Sequence, residues 1–268
     1  MMRIFDFKSI EANKRGQKSE TQIKKIKEAV QPGLWLYGGL GILVFGGCFF
    51  AFFSSAGSGA AGAFGWVIAA VGLFAALRGS TTWNLRRKLL AEPIQSAEGT
   101  VVFKMAEGAA QLIDADRYIA QTIEGKKLNP IGLAGVSAPL PPGDYRFFYL
   151  NTRNWLLEAE PLSTEEELRD NLNEVLANVF GYDKAQLEDF RRQAREGRLK
   201  TAEGLLKGDT SQSIATVDAP SITEYFCKLG DFEFQLSGRA GIALIANIPY
   251  RVYYGAEENS AIFAVEVA

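Results

Sequence analysis

Tyr145-Arg146-Phe147-Phe148-Tyr149 and Tyr250-Arg251-Val252-Tyr253-Tyr254 are two versions of one strand. Each follows a small-residue run, Gly132-Leu133-Ala134-Gly135-Val136 in the first case and Gly238-Arg239-Ala240-Gly241-Ile242 in the second. Each precedes an apolar strand that ends near a glutamate, Leu156-Leu157-Glu158-Ala159-Glu160 and Ile262-Phe263-Ala264-Val265-Glu266. Matches in the same order and at the same spacing indicate an internal duplication.

Aromatic and β-branched residues crowd both copies, so both read as β. Strands are predicted at 100–105, 118–123, 126–128, 145–150 and 155–160 in the first copy. In the second they fall at 214–217, 222–229, 232–236, 250–254 and 261–267. Gly230-Asp231 and the polar run 257–259 read as turns. Each copy is expected to form a small antiparallel barrel or curled sheet. Side chains alternate across a strand, which puts Arg146 and Phe148 on one face and their counterparts Arg251 and Tyr253 on the same face of the second copy. An arginine beside aromatics can stack on a ligand, so these four are the candidate interaction residues. The structural alternative pairs each arginine with a carboxylate such as Glu160 or Glu266 and leaves the aromatics to packing.

Between the copies lies a helical insert. Thr164-Glu165-Glu166-Glu167 is a capping-box start, and Leu168, Leu172, Val175, Leu176 and Val179 follow at helical spacing. Gly181 ends this helix, Asp183 caps the next, and Gly197 ends that one. Thr201 is expected to cap a short third turn through Leu206. The basic cluster of Arg191, Arg192, Arg195, Arg198 and Lys200 is expected to meet the insert's own acids, solvent or lipid headgroups.

Ahead of the β copies, 34–77 carries no charged residue. The run 34–53 would rise about 30 Å as a helix, the thickness of a bilayer core. A loop of small and polar residues separates it from a second apolar run, 60–77, which ends at Arg78. The two are expected to form a transmembrane helical hairpin. Lys and Arg flank both ends of the pair and are absent from its loop, which puts both termini on the cytoplasmic side of a plasma membrane as a multi-pass protein. Ala61, Gly65, Ala69, Gly72 and Ala76 form a small-residue stripe, the candidate helix-packing face.

Composition excludes several function classes. The chain of 268 residues has a formal net charge of −2, without the strong positive field of a general nucleic-acid binder. It contains no histidine, the usual neutral-pH base and metal ligand. Cys48 and Cys227 form no metal spacing, and no phosphate-binding glycine loop is present. Asp114 and Asp116 lack the rest of a calcium loop and read as a polar turn. No catalytic, cofactor or metal residues are assigned.

The apolar hairpin followed by Tyr145-Arg146-Phe147-Phe148-Tyr149-Leu150 and Trp155-Leu156-Leu157-Glu158-Ala159-Glu160-Pro161 resembles uncharacterised bacterial membrane proteins with small cytosolic β-domains. The segment from Asp189 to Leu199 resembles theirs as well, whereas Val267-Ala268 departs from the Pro-Leu ending of that pattern. The resemblance implies architecture and lends no activity.

The expected organisation is an α+β membrane protein. It has a basic segment 1–33, the hairpin 34–77, a juxtamembrane segment 78–97, a first β-domain 98–162, a helical insert 163–208 and a second β-domain 209–268. The expected function is a non-enzymatic interaction module or accessory subunit of a membrane complex. Its expected partners are the lipid bilayer and a membrane protein or second copy, with no nucleic acid. The alternatives are a sensor or ligand-binding protein with a cleft between the β copies, and an anchored enzyme working through Glu, Asp and Arg.

Overall fold

The computed structural model describes residues 5–31, 33–55, 59–105, 117–130, 140–206, 211–214, 222–229, 232–236, 238–255 and 262–268. Side chains at 33–36, 49–55, 59–66, 69, 117, 130, 211–214, 222–227, 235 and 238–239 lie outside that description. So do several sequence readings: the run 132–136, Asp114 and Asp116, the strand portion 215–217, and the turns 230–231 and 257–259.

The chain opens with two short helices, α1 (Phe7–Lys14) and α2 (Glu20–Ala29). Asp6 caps α1 by accepting from the amides of Lys8 and Ser9. Ser19 and Gln22 close a capping box on α2, satisfying amide groups that a helix start leaves without partners.

Helices α3 (Gly33–Ser55) and α4 (Gly59–Ala91) then form an antiparallel pair. Their backbones approach so closely that a Cβ on Gly39 would lie 2.5 Å from the Ala76 amide nitrogen. One on Gly72 would lie 2.5 Å from that of Leu43. Glycine is used here for space. Gly72 and Ala76 of the expected packing stripe thus sit at the seam, while the side chains of Ala61, Gly65 and Ala69 lie outside the described residues.

Two expectations about this pair are corrected. The second helix does not stop at Arg78, because a charge ends an apolar run without ending a helix, and arginine and lysine are good helix formers. Its extension brings Leu85, Leu89 and Leu90 against α2 and the β-domain. The expected transmembrane hairpin, and with it the multi-pass plasma-membrane placement, is also corrected. Among the described residues no helix is long and apolar enough to cross a membrane. What the described residues form is an α+β fold rather than an α+β membrane fold.

The first copy is a closed five-stranded barrel of β1 (Gln95–Lys104), β2 (Arg117–Thr122), β3 (Lys127–Pro130), β4 (Gly143–Leu150) and β5 (Trp155–Pro161). The strand order is β1-β2-β3-β5-β4, and β4 returns to β1. Every pairing is antiparallel except the short parallel contact of β3 with β5. Such a Greek-key barrel belongs to the class that includes the OB-fold. Tyr145, Phe147 and Tyr149 point into it with Val101, Leu128 and Ala159.

After β5 come α5 (Glu165–Phe180) and α6 (Lys184–Arg195), with the capping box expected at Thr164/Glu167 and the cap expected at Asp183, which Gln186 completes to a second box. Gly181 ends α5 in the left-handed region, φ 76°, where a residue without Cβ is favoured.

The expected third helical turn is a strand instead, β6 (Lys200–Leu205), paired with β10 (Pro249–Tyr254). Its partner lies far along the chain, so tertiary pairing overrides local propensity. The second copy departs from the expected barrel. Its strands form two three-stranded sheets, β11-β10-β6 and β7-β8-β9, with β7 (Ser211–Ile214), β8 (Ile222–Leu229), β9 (Phe232–Leu236) and β11 (Ile262–Val267). Helix α7 (Gly238–Ala243) connects β9 to β10.

Helix α5 joins the two copies. Leu168 enters the first core, and Leu172 and Leu176 enter the second beside Ala243, Ile245 and Tyr250. Tyr118 of β2 also donates its hydroxyl hydrogen to the Ala243 carbonyl of α7 at 2.6 Å. The two copies therefore pack on each other.

Candidate functional site

The two Tyr-Arg strands place their arginines between the same kinds of cross-strand neighbour. Arg146 of β4 stands opposite Glu160 of β5 and Glu98 of β1. Arg251 of β10 stands opposite Glu266 of β11 and Glu203 of β6. Each arginine pairs with both of its neighbours. Arg146 lies 3.2 Å from Glu98 and 3.5 Å from Glu160, while Arg251 contacts Glu203 and lies 3.4 Å from Glu266. Phe148 and Tyr253, two residues along each strand, are buried. The four candidate interaction residues are thus engaged within the protein.

A helical pair covers the outer face of each Tyr-Arg sheet and sends a cation to the same glutamate. In the first copy Lys14 of α1 reaches Glu160 at 2.6 Å. In the second, Arg191 of α6 pairs with Glu266. Arg191 was legible only as part of a basic cluster, since its partner lies 75 residues away.

The two sites differ in burial. Glu266 is only 3% exposed and receives hydrogen bonds from Arg191, Arg251 and Tyr253, the last at 2.6 Å. Burial pushes its carboxyl upward, but the hydrogen bonds from Arg191 and Tyr253 outweigh this and hold it below the ordinary range. Tyr182, at the end of α5, donates to the Val265 carbonyl beside it. Glu160 is more exposed.

Glu158 breaks the symmetry. It stands opposite Phe148, the position that Ala264 occupies opposite Tyr253. Among the described residues its carboxylate accepts one long 3.4 Å bond, from the Ala159 amide. Burial pushes this group up to about 7.

Two open features complete the surface. A cleft of about 610 Å³ lies where β1 and β4 meet the start of α5, lined by Glu98, Thr100, Asp144, Ser163, Glu167 and Asn171. It sits on the first copy rather than between the copies. The α3–α4 pair exposes Leu40, Val44, Val67, Val71, Phe74 and Leu77, with Phe74 at 65%. Cys48 is a free, exposed thiol on α3. Among the described residues no group of acids and thiols is arranged to hold a metal ion.

Comparison of the chain with protein families, curated proteins and solved structures finds no match. The resemblance seen in the sequence therefore rests on its short motifs.

Proposed function

We propose that this protein is a non-enzymatic interaction module, an accessory subunit that joins an assembly through its α3–α4 hairpin while the β copies form a rigid body. The carrying observation is the apolar outer surface of that hairpin. Leu40 and Val44 on α3, and Val67, Val71, Phe74 and Leu77 on α4, are all exposed. Exposed apolar patches of this extent mark sites that another apolar surface covers. The occupant proposed is the helical surface of another protein.

The test is purification of the full chain from its native source in mild detergent, beside a Val44→Ser/Phe74→Ser variant. A stoichiometric protein partner present with the native chain and lost with the variant supports the reading. A native chain that purifies alone overturns it. Binding to lipid vesicles without any protein partner would replace a protein occupant with a lipid one.

A second reading, small-ligand binding, is favoured by the cleft beside Asp144 and Asn171. A ligand seated there would raise the melting temperature of the chain, and an Asp144→Asn substitution would diminish the rise.

A further inference from the structure

Helix α1 is held by few apolar contacts. Its buried face consists of Ser9, Ile10 and Asn13, so a single large apolar side chain anchors it. Phe5, just ahead of it, rests on Tyr145 with ring centroids 6.1 Å apart. The remaining ties are polar: Lys14 to Glu160, and a 2.7 Å contact between the hydroxyls of Ser9 and Ser19. Both polar atoms of the Asn13 amide are buried without a protein partner, as is the nitrogen of Gln22 on α2. By contrast α2 is fixed by Ile26 and Val30, which pack on Leu89, Leu150 and Leu157. Between the two helices Gly16 adopts φ 72°, a joint at which α1 can swing without disturbing α2.

Beneath α1 lies the outer face of β4 and β5. It carries the buried Phe148 and its cross-strand neighbour Glu158. We propose that α1 is a lid over this face, closed while Glu158 carries a proton and released when Glu158 ionises.

The geometry supports the assignment in three ways. The second copy has Ala264 at the equivalent position, so packing of the duplicated sheet does not call for a carboxyl group there. Among the described residues no cation lies within ion-pair distance of Glu158, whereas Glu160, two residues on, has Arg146 and Lys14. The charged groups that face it also leave it uncompensated. Lys25 of α2 acts at a distance in favour of ionisation, and Asp6 at the start of α1 acts against it. Lys14 of α1 and Arg146 of β4 are committed to Glu160 and, for Arg146, also to Glu98. On its α4 side the face meets the apolar Leu85 and Leu89. Opening α1 would return Glu158 to water and uncover Phe148 and Arg146.

The closed state holds the proton up to about pH 7, against an ordinary value of 4.5. Closure is therefore strongest below 4.5, weakens as pH rises through the interval, and is constant above 7. Between pH 6 and pH 8 the closed-to-open ratio falls about tenfold.

Amide hydrogen exchange of the full chain at pH 6 and pH 8, corrected for intrinsic rates, tests the lid. The expected result is a drop of about tenfold in the protection of α1, with α2 and α5 unchanged as internal standards. In Glu158→Gln, and in Glu158→Ala, which copies the second repeat, α1 protection should be the same at both pH values. Protection of α1 that is equal at pH 6 and pH 8 in the native chain overturns the proposal. So does a pH-dependent drop that persists in both variants.

Discussion

Tyr253 donates its hydroxyl hydrogen to Glu266 at 2.6 Å, from the neighbouring strand and two residues along it from the opposing Arg251. Arg251 donates to the same oxygen, Oε1, and Arg191 of a separate element reaches Oε2. Removing one member of a buried ionic group leaves its partners uncompensated, which typically costs about 3–5 kcal/mol. Arg191 and Arg251 each retain more than a third of their exposure, so solvent recovers part of that loss. Glu266→Ala is expected to destabilise the chain by about 2 kcal/mol. The equivalent Glu160→Ala, in a more solvated cluster, should cost no more than about 1 kcal/mol. Urea unfolding of both variants distinguishes the two sites, and equal losses would refute the contrast.

The first tyrosine of each repeat is fully buried and anchors the loop ahead of its own strand. Tyr145 donates to the Pro141 carbonyl at 2.8 Å. The Tyr250 hydroxyl accepts from the Ile245 amide at 2.8 Å and donates to the Ile245 carbonyl. Tyr145→Phe should cost about 1 kcal/mol. Tyr250→Phe should cost more, about 2 kcal/mol, because a buried amide loses its acceptor as well. Thermal unfolding of the single variants would show this order, and a reversed order would mean that the loops adjust.

The strands around Tyr145 and Tyr250 were readable because their residues are strand-forming, closely spaced and locally punctuated. The bounds predicted for β8 and β9 agree with those observed, and the caps at Thr164 and Asp183 are where their side chains imply. What escaped depends on distant pairing. Lys200–Leu205 contains ordinary helix formers and becomes β6 only because Pro249–Tyr254 offers it an edge. The role of Arg191 needed the fold of α6 onto β11, and the partial burial of Glu158 needed long-range packing that no local pattern shows. An apolar run also proved a poor guide to helix length, since α4 continues through Arg86, Arg87 and Lys88. The interaction reading of Arg146 and Arg251 could be weighed against ion pairing only once their cross-strand neighbours were known.

The seam of the helical pair makes a sharp steric prediction. Gly72→Val places branched carbons where the Leu43 backbone already lies, so α3 and α4 must separate. Overpacking of this kind costs about 1–3 kcal/mol. At Gly38 and Gly41 an added Cβ meets open space, so Ala there should be tolerated or slightly stabilising through helix propensity. Helical circular dichroism on heating would report a lowered transition for Gly72→Val and none for Gly38→Ala.

The two unusual carboxylates give stability opposite dependences on pH. Glu266 titrates below its ordinary value when folded. Its contribution is therefore present above pH 4.5 and is lost as pH falls through the folded value. Glu158 titrates near 7 when folded and near 4.5 when free. Folding thus favours its protonated form, and stability declines as pH rises from 4.5 to 7. The decline totals about 3 kcal/mol if α1 stays closed. It is smaller if α1 opens first, since an open lid returns Glu158 to water at less cost. Glu158→Gln should therefore raise the denaturation midpoint at pH 8 and leave it nearly unchanged at pH 4. A native chain and variant that differ equally at both pH values would show that Glu158 acts through packing and carries no proton of consequence.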